Sequence, residues 1–339
     1  MTAVVITGLG TALRGVDGPA GLLPGAVTDG DRTDPVSRLT GRGLRYKDRA
    51  TKLGLIAGRD ALEAAGLLDG PDVLAVPGDS FGVVVSTNYG NVDTVTETVR
   101  TIAAETYIGT SPMMLPATSS NVVASWLAIT HGLRGANLTL CNGPTSGLDA
   151  IGWARLLLES GRLERVLVVG VEPDNSAVRE LLDAGADATP AAGTAPDPGP
   201  FDGAAALVIE SAESARARGA RPLAEVGPYA RRADREAATA AVRGAAPGRV
   251  GLWYVPERAA AARPDGGDGP DHAAVTSDLT ARLGSSSGAL GVLQAAAGAA
   301  WLAAQDGRGL VLATAGTGEA PHDDAAAALI LAPVAADPR

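Results

Sequence analysis

The sequence predicts an α/β protein, on three observations. Short apolar runs rich in β-branched residues recur along the chain: AVVITGLG (3–10), FGVVVST (81–87) and RVLVVGVE (165–172). Runs without polar alternation suit strands buried on both faces. Between them lie longer segments whose apolar residues return at helical intervals, and alternation of strand with helix is the mark of the α/β class. The composition agrees: 46% of the 339 residues are hydrophobic but only 3% aromatic, so the core must be built from Ala, Val, Leu and Ile. The length suits one large domain or two fused ones.

In order, 3–10 reads as a strand closed by glycines, 47–67 as a helix, 81–87 as a strand and 91–105 as a helix. LTLCNGPTSGLDAIG (138–152) reads as a strand entering a helix through a tight turn, and that helix continues to 161 with Leu148, Ile151, Arg155 and Leu158 at turn spacing. A strand at 165–172 follows, then a loop at 183–203, rich in Pro, Gly, Ala and Asp and without periodicity. Strands are expected at 204–210, 221–230 and 249–255, a solvated acidic loop at 262–275, a buried helix at 285–305, and closing strands at 309–316 and 325–333. No internal repeat is evident.

Several function classes are disfavoured. The net charge is −10, and Lys47 and Lys52 are the only lysines, which argues against nucleic acid or an anionic membrane as partner. No apolar run approaches the roughly 20 residues that span a bilayer, and MTAVVITGLG has neither a basic n-region nor a cleavage site, so a soluble, cytoplasmic protein is expected. Cys141 is the only cysteine, which excludes an internal disulfide framework and a cysteine-rich metal site; no cofactor or metal is expected. VITGLGTALRG lacks the full dinucleotide-binding spacing and its acidic residue.

The turn at 142–144 is where many enzymes mount a nucleophile, yet it holds Asn142, Gly143 and Pro144. Cys141 lies near the strand end, where free cysteines are usually buried and inert. Thr145 and Ser146 are expected to cap or pack. His131, His272 and His322 sit beside turns or in acidic loops and are expected to be solvated.

VVITGLG, YKDRATKLGLIAGRDALEAAGL, HGLRGANLTL, GAAALVIESAESARARGARPLAEV and GSSSGALGVLQAAAG, taken in order over nearly the whole chain, resemble the β-ketoacyl synthase family of fatty-acid and polyketide assembly. The resemblance implies the thiolase fold: two similar α/β halves, 1–215 and 216–339, in five layers α-β-α-β-α, paired as a dimer. It places the strand 136–140 against the dimer mate, with Asn137, Leu138, Thr139, Leu140 and Asn121 at the interface, Asn121 as a backbone-binding turn residue.

Active members of the family use a cysteine at this elbow, where the helix N-terminus stabilises a thiolate, with two histidines and a lysine from the second half. Here the cysteine position is Pro144. The first histidine turn holds Pro256, Glu257 and Arg258, and Ser277 and Arg282 stand for the lysine and second histidine. The glycine-phenylalanine turn survives only as TAGTGE (314–319). The resemblance therefore implies a non-catalytic chain-length factor of a type II polyketide synthase. Such a subunit pairs with an active ketosynthase, meets the acyl carrier protein mainly through that partner, and shapes the acyl tunnel. Family examples usually carry glutamine at the cysteine position, so Pro144 leaves a decarboxylating role unsupported. The short, divergent chain looks more like the polyene or highly reducing subgroup.

The segment 110–126 would form part of the tunnel, with Met113, Met114, Leu115 and Val122 either lining it or serving as interface core. Two other classes stay open: an acyltransferase or hydrolase using Cys141 or a hydroxyl, and a homodimeric acyl-binding or scaffold protein.

Overall fold

The computed structural model describes residues 3–26, 30–185, 199–257, 273–304, 309–317 and 325–335. Along the chain run β1 (Val4–Leu13), α1 (Arg49–Ala64), β2 (Phe81–Ser86), α2 (Val92–Glu105), α3 (Val122–His131), β3 (Asn137–Leu140), α4 (Ser146–Glu159), β4 (Arg165–Glu172), α5 (Ser176–Gly185) and β5 (Gly203–Ser211). Then follow α6 (Ala212–Ala217), β6 (Ala224–Arg232), α7 (Arg235–Ala245), β7 (Val250–Tyr254), β8 (Val275–Ser277), α8 (Thr280–Leu283), α9 (Leu290–Ala304), β9 (Leu310–Ala315) and β10 (Ala326–Ala332).

The strands lie in the order β3-β2-β4-β5-β1-β6-β10-β9-β7-β8. Numbered within each group of five, the first group and the second share one order, 1-5-4-2-3. In each, the fifth strand is antiparallel to both neighbours, while the fourth, second and third are parallel. Among the described residues, the strand groups pair at Val5 with Glu225 and Ile6 with Ala224. The chain thus repeats its topology although its sequence shows no repeat.

Side-chain alternation fixes the layers. Val83, Val85, Leu167, Val169, Ala204 and Ala206 face α1 and α3. Their neighbours Val84, Val166, Val168, Ala205 and Leu207 face the other way, into a core shared with α4 and α9. β2, β4 and β5 are buried on both faces, which is why these runs lack polar alternation. On the far side, Ala238 and Val242 of α7 cover Ala328 and Ile330 of β10. The stack is therefore α1/α3, sheet, α4/α9, sheet, α7: the expected five-layer thiolase arrangement.

In the middle layer α4 and α9 meet backbone to backbone. A Cβ on Gly147 would stand 2.7 Å from the Gly291 nitrogen, and one on Gly291 only 2.3 Å from the Leu148 nitrogen. Helix α9 is buried around its circumference from Leu290 to Ala299, as a helix between two sheets must be. The run Ser287–Ala304 is long and apolar enough to cross a membrane, but here it is the central core helix.

Several elements differ from expectation. Helix α3 went unread because VVASWLAITH is apolar nearly all round and shows no periodic polar face. Helix α7 is alanine-rich and buries only Ala238 and Val242, too little for a visible stripe. Helices α5 and α6 also went unread; α5 runs three residues into the loop predicted at 183–203, of which 186–198 lie outside the described residues. The predicted acidic loop at 262–275 ends in β8 rather than in coil, and its residues to 272 lie outside the described ones. The boundary read between residues 215 and 216 falls inside α6, which packs on β1 and β5.

Candidate functional site

Strand β3 delivers the chain to the elbow. Gly143 adopts φ +72°, a conformation that favours glycine, and Gly143–Thr145 form a single 3-10 turn before α4. Ser146 Oγ closes the turn by accepting the Asn142 N–H at 2.5 Å. Pro144, half-buried at the apex, supplies no nucleophilic atom and no N–H. Residue 144 therefore offers a carbonyl neither an attacking group nor a backbone donor.

The floor of the elbow is polar and fully used. Glu172, at the end of β4, is buried; its Oε1 accepts the N–H groups of Asn88 (2.6 Å) and Gly288 (3.1 Å). Its Oε2 accepts the Tyr89 N–H (3.0 Å) and the Thr87 hydroxyl (3.1 Å). Burial raises the Glu172 pKa to about 7, against the opposing pull of these donors. Asn88 Nδ2 donates to the Gly143 carbonyl (2.9 Å) and to Ser287 Oγ (2.8 Å). Asn88 Oδ1 accepts the Gly143 N–H (3.2 Å) and the Ser146 hydroxyl (3.1 Å).

Beside the first turn of α4, buried Asp149 accepts from Asn142 Nδ2 and from Thr145 Oγ1, each at 2.9 Å, and from the Tyr229 hydroxyl. Arg231 Nε stands 3.7 Å from Asp149. Burial, with the hydrogen bond to Asp149, pushes the Tyr229 phenol well above its usual range. The hydroxyls of Thr145 and Ser146 are thus bonded within the turn network rather than acting as helix caps.

The second half contributes Ser287, at φ +42°, and Glu257. Glu257 accepts the Ser285 hydroxyl and, at 3.0 Å, the Ser287 N–H. Arg282 donates to the carbonyls of Gly21 (2.8 Å), Leu23 (3.2 Å) and Leu22 (3.4 Å), tying down the segment after β1. Ser277 is buried at the end of β8, its carbonyl accepting the Val255 N–H. Pro256 is described; Arg258 and the end of TAGTGE, 318–319, lie outside the described residues.

The remaining sequence candidates are dispersed. Met113 and Leu115 are exposed, at 61% and 44%, and Met114 is half-buried, whereas Val122 is buried against α1 in the outer core. Asn121 differs from its expected role: its Oδ1 accepts the Ser119 hydroxyl (2.6 Å), and the backbone-binding amide is Asn91, which donates to the carbonyls of Ala117 and Ser119. Asn137, Leu138, Thr139 and Leu140 form the terminal strand of the sheet, with one edge unpaired among the described residues.

Two expectations are corrected. Cys141 is exposed, because it follows the edge strand instead of pointing into a layer. Partial burial and the nearby Glu172 push its thiol up, the wrong direction for a nucleophile. His131 is fully buried at the end of α3, because that helix end is packed against the sheet and Asp72; its Nδ1 lies 3.6 Å from Asp72. His272 and His322 lie outside the described residues. Sequence reasoning missed Asn88 and Glu172; the one available signal was a carboxylate ending the otherwise apolar run 165–172.

Residues 25–215 match the family described as "Beta-ketoacyl synthase, N-terminal domain". A 3-oxoacyl-[acyl-carrier-protein] synthase 2 from Vibrio harveyi is 30% identical over 217 residues, 60% of this chain and 50% of that protein. The chain spans about half the length of the curated relatives it matches. The solved ishigamide ketosynthase/chain length factor is 26% identical, with a TM-score of 0.72 over 98% of this chain and 100% of that one. A type II polyketide synthase acyl-carrier protein complex with its hexaketide-bound ketosynthase contains a chain with a TM-score of 0.74 at 17% identity, over 98% and 100%, a likeness of fold alone.

Proposed function

The chain belongs to the β-ketoacyl synthase family, and from that membership we propose that it is a non-catalytic subunit of the chain-length-factor type. The observation that carries the reading is Pro144, which leaves the nucleophile position of the elbow without an attacking atom or an N–H. Two further features support it. Arg282, at a histidine position, is engaged with the carbonyls of residues 21–23, and Ser277 cannot supply the charge of a lysine.

In this reading the subunit pairs in the cytoplasm with an active ketosynthase of a type II polyketide system, of the polyene or highly reducing kind. The partner receives the acyl carrier protein, and Met113, Met114 and Leu115 limit the growing chain. The halves part near residue 215, within α6. The surface supports such pairing: β3 leaves an edge unpaired, and Ile129 of α3 and Trp153 and Leu156 of α4, the helices that pack on β3, are exposed. The likeness to a ketosynthase/chain length factor structure supports it also.

Co-expression with an active ketosynthase of a type II polyketide system tests the reading. A stable one-to-one complex whose condensing activity needs the partner's cysteine is expected. Condensation by this chain alone, or separate monomers after co-expression, would reject it.

A further inference from the structure

We propose that Asn88 is a gate that keeps acyl chains from being seated at this chain's own elbow. The inference rests on the reading of the chain as a ketosynthase-like partner and adds a reason, independent of Pro144, why its own elbow takes no substrate.

Asn88 follows β2 and bonds both polar groups of the residue preceding the apex, accepting the Gly143 N–H (3.2 Å) and donating to the Gly143 carbonyl (2.9 Å). The same amide reaches Ser146 at the start of α4 and Ser287 of the second half. All the hydrogen-bonding directions an asparagine amide commonly uses are filled, so the side chain has one position. Its backbone is fixed as firmly, since its N–H is held by buried Glu172.

There is no slack behind it. A Cβ on Gly288 would come within 3.1 Å of both the Asn88 nitrogen and its Nδ2, so the turn before α9 is packed directly on the amide. Asn88 therefore bridges two walls of the elbow, the 3-10 turn at 143–145 and the turn at 287–289. A hydrocarbon chain attached at residue 144 and laid between those walls would have to displace the amide and leave partly buried donors and acceptors unmatched, an unfavourable exchange.

The test installs a thiol as reporter. In a Cys141→Ala background, Pro144→Cys is made with Asn88 intact and with Asn88→Gly or Asn88→Ala, and each protein is offered the octanoyl thioester of N-acetylcysteamine. In transfer the sulfur attacks the thioester carbonyl, the carbonyl–sulfur bond to N-acetylcysteamine breaks, and that thiolate leaves with the proton. Intact mass reads the octanoyl adduct, and labelling after denaturation confirms the thiol.

Octanoylation about tenfold faster or more is expected once Asn88 is removed, the scale expected when a hydrogen-bonded obstacle is lost. Equal rates with and without Asn88, whether both fast or both absent, overturn the gate. Circular dichroism decides which of the two Asn88 variants is used. Because the reporter thiol is on this chain, equal rates would leave the ketosynthase pairing standing, and failed pairing would leave this result standing.

Discussion

Glu172 of β4 and Gly288 of the turn before α9 meet across the two halves, the Gly288 N–H donating to the buried carboxylate at 3.1 Å. One acid thus joins the ends of β2 and β4 to the second half, and its protonation should be readable in stability.

Burial raises the Glu172 pKa from 4.5 to about 7 in the folded protein. A carboxyl with a raised folded value contributes stability in full below its unfolded pKa, and that contribution is lost as pH rises through the folded one. Wild-type protein should therefore lose up to about 3 kcal/mol from this group between about pH 4.5 and pH 7. Glu172→Gln should remove that slope in denaturant titrations, yet lower stability by about 1–3 kcal/mol because its NH2 faces donors.

His131 acts in the acid range with the opposite sense. Burial lowers its pKa from 6.5 to about 4, against the pull of Asp72, and neither ring nitrogen has a hydrogen-bond partner among the described residues. A depressed histidine stabilises the fold above its unfolded pKa, and the contribution fades as pH falls from about 6.5 towards 4, by up to about 3 kcal/mol. His131→Leu should flatten that acid limb in unfolding measurements; an unchanged limb would contradict the assignment.

Catalytic silence should extend to the one cysteine. The Cys141 thiol is pushed up, so incubation with acyl-carrier thioesters should give no stable adduct by intact mass. Cys141→Ala should leave pathway output unchanged. An acyl group retained on Cys141 would restore the acyltransferase alternative.

Length control should be separable from stability. Met113 and Leu115 are exposed in the single chain, so Met113→Ala and Leu115→Ala should shift unfolding by no more than about 0.5 kcal/mol. Both, with Met114→Ala, should lengthen the products, and Met113→Trp should shorten them. Val122→Ala, in the outer core, should instead cost about 1–3 kcal/mol. Product masses, read beside heterodimer recovery, check this: unaltered lengths with full assembly would leave these residues as interface packing.

Assembly should depend on the exposed apolar residues beside β3. A thiolase-type interface commonly buries more than roughly 2,000 Å², so Ile129→Glu and Leu156→Glu should leave the fold intact yet abolish co-purification with the ketosynthase. Undiminished complex on size exclusion would move the interface elsewhere.

Much of this arrangement was legible in the chain. β4 is found at the bounds its apolar run announced, and α2 within a residue, because burial on two faces and helical spacing both leave marks in local sequence. Pro144 at the elbow was legible because the neighbouring motifs fix its register. The gate was not: Asn88 and Ser287 lie 199 residues apart, and the bond between them exists only through the fold. The exposure of Cys141 and the burial of His131 went unseen for the same reason, since both depend on which side of a layer a strand or helix end presents.

The crossing of α4 and α9 at Gly147 and Gly291 bears on how the molecule comes into being. Each of these helices belongs to one half by sequence yet serves as lining for both sheets. Neither half translated alone could cover its inner surface, so the earlier half should wait, incompletely closed, until residue 304 has emerged from the ribosome. The duplicated topology, for all its symmetry, should fold as one indivisible unit, and severed halves should recover native structure only when they are mixed.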